Sequence, residues 1–288
     1  MGFVYSNHLG SDMKVNKINI NNIAFQHGHK HDPQTGECKK TAGQKVRAAA
    51  PFVLVTIPAI LGTMTLISKL RKGDGRVAKF LKESNFAGEK FSQIADFNMF
   101  KPSTYKNLVK KAQYGPVDVL AMAAASLAAG VGLGCTIDKN KEDRKAKYRE
   151  TVAQYVGNFI FPVTCLAGAS GLMNKAFDKG LFKNIIENAK DSKIMKGQLK
   201  IIPVVSGFLI GMFGGNRIAN AMNNKIFGKE EFRGIKASDM SAHIDDTCMT
   251  VALIGKEFEK CKAFGRFIPP ALTVCGVSAG MAKSKECK

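Results

Sequence analysis

Polar and apolar residues in this chain fall into long blocks rather than into alternation. Five blocks carry almost no charge: Ala48–Ser68, Val119–Ile137, Thr151–Asn174, Ile201–Asn216 and Phe267–Ala282. Lys-rich connectors separate them. None shows the period-two pattern of β-branched residues that marks a half-buried strand. At helical rise, about twenty apolar residues match the hydrocarbon core of a bilayer. The pattern predicts an all-α, multi-helix integral membrane protein.

Proline and acidic residues place the helix ends. Pro51, Pro203 and Pro269 stand near the front of their blocks, where the missing N–H is harmless. Pro58 and Pro162 fall mid-block and predict a kink or break, so either block could fold back as a hairpin. Asp118 opens the second block, where a carboxylate suits a helix N-terminus. Asp245 and Asp246 stand in the same relation to the apolar stretch Met249–Gly255. Within the first long connector, residues 76–82 and 105–111 mix apolar and basic residues at near-helical spacing. They read as short amphipathic helices, lying on a membrane surface or packed on the rest of the protein.

The blocks divide the chain into three parts. Residues 1–47 are polar and Asn-rich, without the apolar core of a cleavable signal, and are expected to be a disordered tail. Met1–Ser6 also fits the short N-myristoylation pattern. Residues 48–282 form the helical membrane domain, and 283–288 a basic C-terminal tail.

Small residues recur at four-residue spacing inside the blocks. Gly130 and Gly134 do so in the second, Ala167 and Gly171 in the third, Gly207, Gly211 and Gly215 in the fourth, and Gly276 and Gly280 in the fifth. Positions i and i+4 share a helix face. A Gly inside a water-exposed helix costs about 1 kcal/mol against Ala. In lipid the same residues let two backbones approach, and packing replaces the missing hydrophobic drive. These nine positions are the candidate helix-packing sites. Such faces can pair within one chain or between copies, so a homo-oligomer is open; close-packed helices of a soluble core are the competing reading.

Charge narrows the partner. Lys and Arg number 43 against 23 acidic residues, a net +20, and only eight of the 43 are Arg. Lys acts as a point charge, whereas base readout favours planar Arg contacts. The basic residues are spread over every connector with no aromatic-interleaved patch, so an anionic bilayer is the expected partner and nucleic acid is not. If all five blocks crossed in strict alternation, 22 basic residues would lie on one side and 21 on the other. The positive-inside rule expects a bias. Five simple alternating spans therefore fit poorly, and most connectors are assigned to the cytoplasmic side.

Candidate chemistry is sparse. His27, His29, His31 and Asp32 form a cluster able to bind Zn, Ni or Cu, with Cys38 nearby. His243, Asp245, Asp246 and Cys248 are close in sequence, but five residues separate His243 from Cys248, which is not one helix face. Seven Cys without a CxxC motif argue against a disulfide framework or zinc module. Gly130, Gly132 and Gly134 lack a preceding strand and the third glycine of a dinucleotide fingerprint. No catalytic residue is assigned. The expectation is a non-enzymatic protein that packs or anchors in an anionic bilayer. A solute or ion pore, using Asn158, Thr164, Ser170, Ser126 and Ser206, and a soluble basic protein binding acidic partners are the alternatives.

Overall fold

The computed structural model describes residues 42–83, 97–105, 114–228, 247, 250 and 266–284. Among these the chain is all helical, with no strand. Two units divide it, Met1–Val46 and Arg47–Lys288, and the second holds the helix packing. The cluster His27, His29, His31, Asp32, most of the expected tail and residues 243–246 lie outside the described residues.

Helix α1 (Ala42–Lys72) runs through both Pro51 and Pro58. Both prolines sit on an exposed face of the helix. Thr56, Thr63 and Thr65 donate their hydroxyls to the carbonyls of Phe52, Ala59 and Leu61, so polar side chains in an apolar helix are satisfied within it. Three residues later the short helix α2 (Arg76–Glu83) begins.

Helix α3 (Pro116–Ile137) starts at Pro116, as a first-turn proline allows. Asp118 accepts a hydrogen bond from the Gly115 N–H at 2.9 Å, the capping role its position implies. Asn140 then caps α4 (Lys141–Val152) by accepting from the Glu142 N–H. This helix continues without a gap through a π-helical segment, Ala153–Ile160, into α5 (Phe161–Asp178). The third block therefore does not fold back at Pro162. The Phe161 N–H bonds to the Val156 carbonyl, five residues back, just ahead of Pro162. A proline lacks the N–H for the next rung, and its ring would crowd the carbonyl four residues earlier. The wider turn accommodates both.

After a single-turn helix α6 (Lys183–Glu187), α7 spans Ser192–Phe227, 36 residues. Asp191 caps it by accepting from Lys193 and Ile194, and Gly228, at φ 66°, ends it in the left-handed conformation. The uncharged block 201–216 is 16 residues long, and the helix around it is more than twice that length. The fifth block is α8 (Ile268–Gly280), 13 residues. Four helical stretches are long and apolar enough to cross a membrane: α1, α3, the α4–α5 rod and α7. The short α8 is not among them.

Two close helix pairs organise the bundle. The rod and α7 run antiparallel: Gly207 lies at Cys165 and Ala169, Gly211 at Pro162, Gly215 at Gly157, and Asn223 at Arg149. Helices α3 and α8 run parallel: Ser126 meets Leu272, Gly130 meets Gly276 and Gly134 meets Gly280. Helix α1 lies antiparallel to α8, with Thr56 at Gly276 and Phe52 at Gly280. The main core gathers Ile60, Met64, Met122, Leu127, Phe159 and Leu272 from four of these elements. The parallel pairing settles one point the block pattern left open. Strict alternation of five blocks makes the second and fifth antiparallel, whereas here they point the same way. The end of α7 lies beside the start of the rod, at the α3 C-terminus, while α8 begins toward the other end. Gly228 and Arg266 thus lie toward opposite ends of the bundle.

Candidate functional site

What stands out is how the helices meet. On α3, a Cβ placed at Gly130 would strike the Gly276 carbonyl, and one at Gly134 the Gly280 carbonyl and the Lys147 stem. On α8, a Cβ at Gly276 would strike Ser126 Oγ and its carbonyl, at 2.5 Å from the latter, and one at Gly280 the Gly130 carbonyl. The Ser126 hydroxyl donates to the Leu272 carbonyl at 2.8 Å across the same contact. These are backbone-to-backbone approaches that only glycine allows.

The second seam has the same construction. A Cβ at Gly211 would lie 2.5 Å from Pro162 Cα, one at Gly207 would lie 3.0 Å from the Cys165 carbonyl, and one at Gly215 would strike the Gly157 carbonyl. Ala167 and Gly171 are buried on α5. The row facing the α7 glycines is instead Gly157, Phe161, Pro162, Cys165 and Ala169. Gly157 and Ala169 are the small residues of that row, and Ala167 and Gly171, two positions out of step with Cys165 and Ala169, lie on another face of α5.

The large apolar side chains point the other way. On α7, Ile202 is 76% exposed, Ile210 63% and Phe213 55%, while Gly207, Gly211 and Gly215 are buried. On α1 and α5, Leu54 and Leu172 are similarly open at 73% and 70%. A water-soluble helix buries its large apolar face; α7 buries its glycine face.

Two ion pairs bracket α3, one buried at both partners and one buried at its lysine alone. At its start Arg71 Nη2 lies 2.6 Å from Asp118 Oδ1, with both side chains buried, and Arg71 Nε reaches the Leu81 carbonyl at 3.4 Å. At its end Lys147, fully buried, bonds Asp138 Oδ2 and the Ala282 carbonyl, each at 2.7 Å. Asp143 accepts from the Ser284 N–H at 2.9 Å, so the residues after α8 are held on α4 by two contacts. The Lys147 ammonium, hydrogen-bonded to Asp138, holds that carboxyl below its ordinary value of 3.8. Asp118 and Asp138 are twenty residues apart, about 30 Å at helical rise, the thickness of a bilayer core. Sequence reading reached Asp118 only as a cap. Arg71 and Lys147 looked like connector charges, and nothing local separates them from their solvated neighbours.

The π segment carries a third polar feature. Asn158 donates to Gln154 at 2.8 Å, and Gln154 to Glu150 at 3.0 Å, with all three side chains buried. Asn223 of α7 donates to the Arg149 carbonyl at 3.0 Å, where the helix widens and the backbone pattern shifts. Of the other polar groups in the blocks, Thr164 bonds back to the Ile160 carbonyl, Ser170 is buried, and Ser206 is exposed. Among the described residues no group of three or more His, Cys, Asp or Glu is placed to hold a metal. No known protein family, no curated protein and no solved structure matches this chain.

Proposed function

We propose that this chain is a non-enzymatic integral membrane protein, a helical body that packs and anchors in an anionic bilayer through its glycine seams and Lys-rich connectors. The observation that carries this reading is the inverted side-chain distribution of α7, with Gly207, Gly211 and Gly215 inside and Ile202, Ile210 and Phe213 outside. Water penalises that arrangement at both faces; lipid penalises neither. The charged clasps about 30 Å apart on α3 support the same reading, since buried ions in a membrane protein pair with each other near the ends of spans. The connectors then meet headgroups, where a net charge of +20 favours anionic lipid. The experiment is fractionation with a carbonate wash. The chain is expected to stay with the membrane pellet and to need detergent for extraction; a folded monomer in detergent-free buffer would overturn the reading.

A second reading, a pore or carrier for a small polar solute, is favoured by one feature, the Glu150–Gln154–Asn158 ladder inside a spanning rod. Polar side chains are costly there and often line a path. Reconstituted vesicles that leak no faster than protein-free ones to ions and small polar solutes would remove it.

A further inference from the structure

Helix α2 is unlike the rest of the bundle. At about 100° per residue, Phe80, Val77, Leu81 and Ala78 fall on one arc, and Arg76 and Lys79 on the opposite one. Ala78 and Leu81 are buried against the protein, whereas Val77 is 57% and Phe80 61% exposed. The helix is fastened to the end of α1 by the three-residue turn 73–75 and by Arg71, whose Nε donates to the Leu81 carbonyl. Lys69, Lys72, Arg76 and Lys79 are exposed around it. Two other segments at this end of the bundle repeat the combination: Phe100 with Lys101, and Leu181 and Ile185 with Lys179 and Lys183.

We infer that α2 is an in-plane membrane anchor, with Val77 and Phe80 inserted beneath the headgroups and Arg76 and Lys79 on lipid phosphates, so that this end of the bundle sits in an anionic leaflet. The inference rests on the membrane reading above and adds which end faces anionic lipid and which side chains do the binding. Half the apolar arc is covered by protein. The open half is continuous with the end of an apolar helix, so the surface it meets is the one that helix leaves. An amphipathic helix with a basic polar face binds such an interface through buried apolar area and electrostatic attraction together. Each basic residue near an anionic surface contributes about a fivefold factor in the docked-to-undocked ratio.

The chain contains no Trp, so Phe80→Trp introduces a single fluorophore at an exposed site that tolerates it. The full-length variant is reconstituted in phosphatidylcholine vesicles with and without phosphatidylglycerol, and bromine-labelled lipids report depth. Blue-shifted emission, quenched by shallow bromines and stronger in the anionic vesicles, is expected. Arg76→Gln with Lys79→Gln should lower the docked ratio about twenty-five-fold. Water-like, unquenched emission in both vesicles, from a chain that still resists carbonate, overturns the anchor alone. Equal quenching in neutral and anionic vesicles overturns the anionic-lipid assignment. A chain that leaves the vesicles in carbonate overturns the membrane reading on which the inference stands.

Discussion

The Ser126 hydroxyl donates to the Leu272 carbonyl at 2.8 Å across 146 residues of sequence, and the same offset pairs Gly130 with Gly276 and Gly134 with Gly280. One hydrogen bond and two glycine contacts thus fix the register of two parallel helices. Ser126→Ala should cost about 1 kcal/mol, the usual value for one such bond. Thermal unfolding in detergent, compared with the parent, gives the number. An unchanged midpoint would mean the backbone contacts alone set the register.

The glycine seam allows a matched comparison on one helix. Gly130 faces the Gly276 carbonyl, while Gly132, two residues on, has nothing within 4 Å of a Cβ. Gly130→Ala is expected to destabilise by about 2 kcal/mol through overpacking against backbone. Gly132→Ala should leave stability within about 0.5 kcal/mol of the parent. On the second seam, Gly211→Leu and Gly168→Leu form the equivalent pair. If both members of each pair behave alike, close backbone approach is not what holds the bundle.

Arg71 and Asp118 are both buried and 2.6 Å apart. Breaking such a pair by removing one partner costs about 3–5 kcal/mol, because the other charge is left stranded. Arg71→Met should show this loss. Adding Asp118→Asn, which keeps the acceptor for the Gly115 N–H, should recover most of it. A double-mutant cycle measures the coupling; additive losses would show that the two charges act independently.

Asp138 supplies a pH test. Its carboxyl is depressed first of all by the hydrogen bond from Lys147. A depressed folded value means the contribution is fully present above the unfolded value of about 3.8 and is lost as pH falls through the lower, folded value. The clasp should therefore be indifferent to pH from 5 to 8. Asp138→Asn should lower stability across that range and flatten the loss that the parent shows in stronger acid. Denaturation midpoints in detergent at a series of pH values test this, and a parent transition near neutrality would count against it.

Much of the fold was legible because block composition decides helix against strand. Asp118 as a cap, Pro269 as a helix start, and the absence of strands among the described residues follow from local rules, whereas Pro51 and Pro203, expected near helix starts, lie inside α1 and α7 because each helix begins in the charged residues ahead of its block. Long-range partnership was not legible. Nothing near Arg71 or Lys147 distinguishes them from the solvated lysines beside them; only the tertiary arrangement selects them. The extent of α7 was hidden by Lys193, Lys196 and Arg217, which interrupt the uncharged run without interrupting the helix. A kink or break at Pro162 is what local rules for an α turn predict, whereas the chain opens into a wider turn and continues. The row of the rod that meets α7 runs through Gly157, Cys165 and Ala169, and which of its two small faces meets α7 is set by the tertiary arrangement.

The parallel seating of α8 has a consequence for biogenesis. The ribosome makes α1 and α3 long before α8, yet α8 touches both, at Thr56 and at Ser126. Until it arrives, the groove it fills leaves the backbone at Gly130 and Gly134 unshielded, and Lys147 lacks the carbonyl of Ala282. Helix α8 is thus a keystone of the described bundle: a nascent chain halted before Ile268 would hold that groove open along α3.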